Sequence, residues 1–273
     1  MKGLGKIAFI GAGNMAEAMV KGIIKSGLAR PHNIYITNKQ DNDKLKKLHD
    51  AWGVHVDTNK KNVLENADTV LLLVKPQDME EALQETAGLI TPKQLVVSVA
   101  AGISLGWLQT RLGEGVPVVR TMPNLPCQVS EGATAVSTGT WADTEHQQVV
   151  EKLFSSIGMV VNVKEELIDT ITGLSGSGPA YVYLMISALA EAGVQAGLTK
   201  EMGFQLAVQT VLGAAKLVKE SGLDSNKLMS LTASKGGTTS AGLKELEDGD
   251  FATIIGAAVK MAAKRSKELS LAF

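Results

Sequence analysis

Short apolar runs alternate with amphipathic stretches over the first part of the chain. The runs at residues 6–10 and 69–74 are continuous and five and six residues long, which is typical of strands buried on both faces of a parallel sheet. Further strands are predicted near residues 33–37, 54–56, 95–99, 116–120, 133–137 and 159–163, with helices between several of them. The alternation predicts a doubly wound α/β domain with a parallel sheet over residues 1–163.

From residue 164 onward the apolar pattern predicts helices throughout. The segment at residues 180–196 follows Pro179, is rich in Ala and is apolar nearly all round, so we expect a helix buried on every side. Other helices are predicted over 199–220, 224–231 and 251–271. Residues 164–273 therefore form a predicted all-helical C-terminal domain, whose central helix a second copy of the chain is expected to cover. Burial of that helix inside one subunit is the alternative.

Composition and charge exclude several classes of protein. The formal net charge of −1 gives no electrostatic basis for binding nucleic acid or an anionic membrane surface. The apolar segment at 180–196 carries Glu191 and Gln195, which favours a core helix over a membrane span. A single cysteine, Cys127, excludes an internal disulfide and a cysteine metal cluster, and the four histidines lack zinc-binding spacing. We expect a cytoplasmic protein without a metal.

A nucleotide-binding motif follows the first predicted strand and opens a helix. Its glycines and small residue match the pattern GxGxxA, in which Gly11 makes the tight turn, Gly13 lets a pyrophosphate approach the backbone and Ala16 packs closely on the strand. This position predicts a Rossmann-type dinucleotide site. The candidate cofactor-binding residues of this loop are Gly11, Ala12, Gly13, Asn14 and Met15.

The ends of later strands indicate which dinucleotide binds. The second strand ends in Thr37-Asn38-Lys39, without the carboxylate that usually accepts a hydrogen bond from the ribose of NAD. An amide and an ammonium can bind a 2′-phosphate, so NADPH is favoured over NADH; the alternative is that Lys39 only begins a solvated helix face. Further cofactor contacts are predicted at strand ends and in loops, at Asn59, Val74, Lys75, Pro76 and Ala100.

A second glycine turn lies in the helical domain, at Ser234-Lys235-Gly236-Gly237-Thr238-Thr239-Ser240. Its glycines let the backbone approach a ligand, and its threonines and serine can cap the helix that follows. A helix start beside hydroxyl groups is a favourable place for a carboxylate or phosphate. The alternative is a tight turn with an ordinary N-cap.

The chain lacks the residue patterns of several other reaction types. It contains no GxSxG nucleophile elbow, no GxxxxGK[ST] phosphate loop and no SxxK pair. Hydride transfer to an already cationic imine suits such a site, because it needs little proton transfer from carboxylates or imidazoles. The protein then has to hold the substrate carboxylate and orient the substrate face.

The chain resembles the pyrroline-5-carboxylate reductase family over both domains. The resemblance rests on the stretches IGAGNMAEAMVKG, LLLVKPQDM, RTMPNLPCQVSEGATAV, TGLSGSGPAYVYLMISALAEAGVQAGL and SKGGTTSAGLKELE. It implies an NADPH-preferring oxidoreductase that makes proline from its cyclic imine, with a helical dimerisation domain and homodimers that assemble into decamers. It also implies that the substrate carboxylate is held by Ser234, Gly236, Gly237, Thr238 and Thr239, and that Thr239 contacts the ring nitrogen as the catalytic residue.

One departure from the family pattern concerns the substrate turn. The family usually has proline where this chain has Lys235, and its loss is expected to loosen the turn. A reductase of a related cyclic imino acid and a catalytically silent nucleotide-binding paralogue are therefore the alternatives. A hydroxyacid dehydrogenase is disfavoured, because the helix after Pro179 lacks the lysine that such enzymes use as a base.

Overall fold

The computed structural model of the protein describes residues 4–39 and 41–271, which pack as two units. Ser177–Lys260 forms the second unit, and the described residues before and after it form the first. The boundary predicted between residues 163 and 164 stays a prediction of where the helical domain begins. In the structure the boundary between the two units falls later in the chain, after residue 176. Residues 165–176 are helical but belong to the first unit, to which Glu165 and Ser175 are hydrogen-bonded.

One sheet of eight strands organises the described part of the first unit, in the order β3-β2-β1-β4-β5-β6-β7-β8. The first six strands are mutually parallel and run in the order of a dinucleotide-binding sheet. The chain order reverses between β1 and β4, which creates a crevice at the carboxyl ends of these strands. The strands are β1 Ile7–Ile10, β2 Ile34–Thr37, β3 His55–Val56, β4 Thr69–Leu72, β5 Leu95–Ser98, β6 Val118–Met122, β7 Gly132–Thr138 and β8 Gly158–Asn162.

Helices cover both faces of the sheet and bury two apolar cores. On one face α1, α2 and α6 contribute side chains such as Ile23, Leu48 and Phe154. On the other face α3, α4 and α5 contribute side chains such as Leu83 and Leu108. Because β1, β4 and β5 are buried along their whole length, they carry the continuous apolar runs of the sequence. The helices are α1 Asn14–Lys25, α2 Asn42–Trp52, α3 Lys60–Leu64, α4 Met79–Thr86, α5 Leu105–Leu112, α6 Thr144–Ser155 and α7 Ile168–Ile171.

The doubly wound α/β fold predicted from the sequence is confirmed, with one correction to the sheet. Strand β7 runs antiparallel to β6, so the sheet is mostly rather than wholly parallel. The connection between them contains only a 3-10 helix, Leu125–Val129, and a link this short joins antiparallel strands. The helices α4 and α5 were not predicted from the sequence. Both are only eight residues long, which is too short for a clear helical period.

The second unit consists of helices, as predicted, and begins with α8, Gly178–Gln195. This helix packs on α9, Lys200–Ser221, where Gly203 lies against the backbone of Ala190. The expectation that α8 is buried on every side is wrong for the single chain, because none of its described residues is buried. Leu184 is 73% exposed and Tyr183 is 50% exposed. The remaining helices are α10 Ser225–Thr232, α11 Thr238–Asp248 and α12 Phe251–Ser270, the last of which ends in the first unit.

Candidate functional site

The loop between β1 and α1 has the geometry that the nucleotide motif predicts. Gly11 has a φ of +115°, and its N–H donates to the carbonyl oxygen of Thr37 at 2.8 Å. A Cβ atom on Gly11 would lie 2.6 Å from the carbonyl oxygen of Leu73, so only glycine fits between β1 and β4. Gly13 differs, because a Cβ atom there would meet open space. The loop therefore packs tightly on the sheet at Gly11 and leaves room for a ligand at Gly13.

The first turn of α1 offers backbone donors to an anion. Its N-cap is Gly13, which is extended and supplies no side-chain cap. The N–H groups of Asn14, Met15 and Ala16 have no intrahelical acceptor, as in any helix start. Ala16 is fully buried and lets α1 pack against the sheet, as the motif predicts. The positive end of the helix dipole adds to the attraction of these N–H groups for a phosphate.

The other predicted cofactor residues lie at the carboxyl ends of parallel strands. Val74, Lys75 and Pro76 follow β4, and Lys75 is exposed at the start of a 3-10 helix. Ala100 follows β5 and is buried, with its N–H donating to the Ser98 hydroxyl. Asn59 follows β3 and caps α3 through a bond from the N–H of Lys61 at 3.0 Å. Parallel strands end at one edge of the sheet, so all these residues border the same crevice edge.

A cleft of about 490 Å³ opens beside the end of β2. It is lined by backbone of the glycine loop and by the first turn of α2, at Ala12, Gly13, Asn38, Lys39, Asp41, Asn42, Asp43 and Lys44. The amide of Asn38 is used within the loop, since it donates to the carbonyl oxygen of Asp41 and accepts from the Asp41 N–H. Lys39 forms an ion pair with Glu81 of α4, with its Nζ 2.5 Å from Oε2. Glu81 was not predicted from the sequence, because it lies 42 residues from Lys39 along the chain.

The glycine turn before α11 forms a hydrogen-bonded β-turn at Ser234–Gly237. The N–H of Gly237 donates to the carbonyl oxygen of Ser234 at 2.9 Å, and Gly236 has a φ of +74°. A β-turn in which only the third residue has a positive φ is a type II turn, and proline is common at the second position of such turns. Lys235 occupies that second position. The turn keeps its shape without proline, because Gly236 supplies the positive φ and the Ser240 hydroxyl donates to the carbonyl oxygen of Ser234 at 2.6 Å.

The start of α11 resembles the start of α1. Its N-cap is Gly237, which is extended and gives no side-chain cap, so the expected capping by threonine or serine hydroxyls does not occur. A Cβ atom on Gly237 would overlap the Ser234 hydroxyl, which would have to rotate, and would lie 3.2 Å from the Ser234 carbonyl oxygen. The hydroxyls of Thr238 and Thr239 make no hydrogen bond to any described residue, and Thr239 is half-buried. Backbone donors and two hydroxyls are thus available to an anion.

An extended glycine at the N-cap, together with the lack of a side-chain cap, sets these two helix starts apart from the helices that have a capping side chain. Six helices in the described chain have an N-cap side chain that accepts from their first turn, namely α2, α3, α5, α6, α9 and α10. Helices α1 and α11 instead begin at an extended glycine. Because a side-chain oxygen would occupy the place of an incoming anion, glycine leaves that place open.

A mostly buried ion pair joins β6 to the segment after β8 and was not predicted from the sequence. Arg120 of β6 is only 4% exposed, and its Nη1 donates to Glu165 at 2.8 Å. The same carboxylate oxygen accepts the N–H of Leu105 at 2.7 Å, so Glu165 also bonds the start of α5. The Nε and Nη2 atoms of Arg120 have no partner among the described residues. The pair holds the segment after β8 against the sheet.

The described residues contain neither a cluster of metal ligands nor a helix suited to a membrane. Nowhere among them do three or more His, Cys, Asp or Glu side chains converge in a way that would hold a metal ion. In residues 4–39 and 41–271, none of the helices combines the length and apolar character that crossing a bilayer requires. Cys127 is buried and unpaired with another cysteine, and burial raises the pKa of its thiol.

Two sequence models of protein families match the chain. The model described as "Pyrroline-5-carboxylate reductase dimerisation" matches residues 165–269, which include all of α8 to α11. The model described as "NADP oxidoreductase coenzyme F420-dependent" matches residues 6–102, which include the glycine loop and the first five strands. A dimerisation domain is therefore present, and it is the part of the chain that exposes the apolar side chains of α8.

Characterised proteins resemble the chain over nearly its whole length. A pyrroline-5-carboxylate reductase from Arabidopsis thaliana is 43% identical, covering 97% of this chain and 95% of the relative. The solved structure of a pyrroline-5-carboxylate reductase from Coxiella burnetii has a TM-score of 0.92 and 38% identity, covering 97% of this chain and 98% of the other. A Plasmodium falciparum pyrroline carboxylate reductase, solved with NADP bound, has a TM-score of 0.86 and 28% identity, covering 99% of this chain and all of the other. With its two glycine-capped helix starts and this similarity from end to end, the chain belongs to the pyrroline-5-carboxylate reductase family.

Proposed function

We propose that the protein reduces 1-pyrroline-5-carboxylate to L-proline, with NADPH as the hydride donor. The observation that carries the proposal is similarity to reductases of this name across 97% of the chain, including both the β1–α1 loop and the α11 turn. Proline biosynthesis is the role that this reaction implies. A reducing compartment, the cytoplasm, fits a chain with one buried cysteine.

The residues of the first unit fit a nicotinamide dinucleotide. The backbone donors at the start of α1 bind the pyrophosphate, and the open space at Gly13 admits it. Asn38 and Lys39 lie at the adenosine ribose, with Asn59 toward the adenine. Val74, Lys75, Pro76 and Ala100 border the crevice toward the nicotinamide. When bound, the cofactor supplies the hydride.

NADPH is proposed as the preferred cofactor, with NADH as the alternative. The end of β2 carries Asn38 and Lys39 in place of the carboxylate that an NAD site usually has at this position, and Lys39 supplies a positive charge for a 2′-phosphate. Lys44 also lines the cleft and adds a second ammonium group. Charge-assisted bonds from such ammonium groups to a phosphate are about twice as strong as neutral hydrogen bonds.

The turn before α11 is proposed to hold the substrate. Gly236 and Gly237 form the turn, and the backbone donors at Thr238 and Thr239 suit the substrate carboxylate, to which each charge-assisted bond contributes about 1.5–3 kcal/mol. The Ser234 hydroxyl borders the same turn. The Thr239 hydroxyl, which bonds to no described residue, donates to or accepts from the ring nitrogen and fixes the ring orientation.

The reaction balances without a carboxylate or histidine in the site. The protonated imine carries a positive charge, one hydride adds to the ring carbon of its C=N bond, and the electron pair of that bond becomes the lone pair of the amine nitrogen. The amine then takes a proton, and Thr239 is the residue proposed to relay it. Charge on the substrate nitrogen thus replaces a general acid on the protein.

The assembly is proposed to be a homodimer that builds a decamer. In α8 the exposed residues include Leu184, Tyr183 and Leu189, and a surface of this apolar character is typical of an obligate interface. This unit also carries the dimerisation domain of the family. A second chain covering α8 would provide the burial that the single chain does not.

Turnover with the proposed substrate tests this function. The purified protein is mixed with NADPH and 1-pyrroline-5-carboxylate, and loss of NADPH absorbance is followed together with formation of proline. The homologous six-membered cyclic imine is assayed in the same way, so that turnover of the two ring sizes can be compared. Faster turnover of that imine would establish the alternative reductase. NADPH binding without turnover of either imine would establish a catalytically silent paralogue.

A further inference from the structure

Lys39 is not a free ammonium group in this protein. Its Nζ lies 2.5 Å from the carboxylate of Glu81, on helix α4, and both side chains remain about half exposed. The pair joins the end of β2 to a helix that follows β4. The residue best placed for a 2′-phosphate therefore already has a negatively charged partner.

The charged side chains that line the cleft give it no net positive charge to offset the pairing of Lys39 with Glu81. Lys39 and Lys44 contribute two positive charges, and Asp41 and Asp43 contribute two negative charges. Hydrogen bonding from the N–H of Lys44 holds the pKa of Asp41 below its usual value, so that carboxylate stays ionised. Lys44 lies 3.4 Å from the same carboxylate. Attraction for a phosphate thus depends strongly on whether Lys39 is available.

The carboxylates of the Asp78–Glu85 segment act on Lys39 together. The hydrogen bond that Lys39 donates to Glu81, followed by the charges of Glu81, Asp78 and Glu85, raises the pKa of Lys39. Glu85 has its own partner in Lys60 at 2.6 Å, whereas Glu81 is bonded to Lys39 itself. A phosphate that bonds Lys39 would lie close to Glu81, where two negative charges repel each other.

We propose that Glu81 is a specificity-determining residue that weakens binding of the 2′-phosphate and so narrows the preference for NADPH over NADH. The proposal rests on the NADP-dependent function proposed above. Glu81 competes with the phosphate for Lys39 and repels it directly. NAD carries no 2′-phosphate, so Glu81 leaves its binding unchanged.

Calorimetric binding of NADP⁺ and NAD⁺ to the full chain tests this inference without turnover. The variant Glu81→Gln keeps the shape of the side chain and removes its charge. We expect its Kd for NADP⁺ to fall about two- to fivefold, which corresponds to the strength of a partly exposed charge interaction, with an unchanged Kd for NAD⁺. Raised salt should shrink the difference, because exposed charges are screened.

Glu80→Gln is the matched control. It makes the same change in charge on the same helix, but Glu80 pairs with Arg111 at 2.6 Å instead of Lys39. Its Kd ratio for the two cofactors should equal that of the unmodified protein. Lys39→Met should raise the Kd for NADP⁺ and not that for NAD⁺.

The outcomes separate this inference from the function on which it rests. An unchanged Kd ratio in Glu81→Gln, an equal shift in Glu80→Gln, or no effect of Lys39→Met on NADP⁺ would each overturn the role of Glu81. In those cases NADP⁺ still binds the unmodified protein, and the reductase proposal stands. Failure of the unmodified protein to bind either cofactor would instead contradict the proposed function.

Discussion

Replacing Gly13 by alanine should separate cofactor binding from folding. A Cβ atom at this position meets no other atom within 4 Å, and the backbone, with φ −85° and ψ −173°, is extended and open to any residue. The methyl group therefore fits the protein alone. It would project into the open space beside the first turn of α1, where the pyrophosphate is proposed to lie.

Opposing effects make the expected change in stability small. Alanine reduces the entropy of the unfolded chain, which stabilises the fold by about 0.4–1 kcal/mol. Alanine is also a poorer N-cap than glycine, which costs about the same amount. The net change should stay within about 0.5 kcal/mol, or about 2 °C in Tm. Loss of one charge-assisted bond to the pyrophosphate costs about 1.5–3 kcal/mol, so the Kd for NADP⁺ should rise about 10- to 100-fold.

Gly11→Ala is the contrasting variant. Its Cβ atom would lie 2.6 Å from the carbonyl oxygen of Leu73 at a φ of +115°, so folding itself should suffer by about 3 kcal/mol. Calorimetry with NADP⁺ and thermal unfolding are measured on both variants. Unchanged NADP⁺ affinity in Gly13→Ala would refute the placement of the pyrophosphate. A large fall in its Tm would refute the open geometry at that glycine.

Four further variants test the substrate turn and the buried ion pair. Thr239→Val should lower kcat about 100-fold with an unchanged Kd for NADP⁺, and an unchanged kcat would remove Thr239 from the mechanism. Lys235→Pro should raise the Tm by about 1–3 °C because proline suits the second position of a type II turn; a lower Tm would contradict that turn type. Glu165→Ala should cost about 3 kcal/mol of stability by leaving Arg120 buried without an anion, and Glu165→Gln should cost less. Equal losses in the two Glu165 variants, measured by denaturant unfolding, would show that charge is not the cause.

Local sequence patterns determined the elements and the two glycine turns. Continuous apolar runs located β1 and β4, because strands buried on both faces need no polar positions. The backbone geometry at Gly11 and Gly13 could be predicted from the sequence motif, since a tight turn and a helix start depend on neighbouring residues. The turn at Gly236 and Gly237 was recognised for the same reason, although the sequence assigned the cap to hydroxyls instead of to Gly237.

Only the tertiary structure decided how distant residues meet. The antiparallel pairing of β7 with β6 fits their short connection, but only the folded chain shows that these two strands are neighbours. Lys39 and Glu81 are separated by 42 residues, and Arg120 and Glu165 by 45, so their pairing follows from strand order and helix placement. The apolar sequence of α8 predicted burial, but the folded chain leaves that helix exposed. Burial there depends on a second molecule. An apolar sequence indicates that a helix is covered, but it does not indicate which chain covers it.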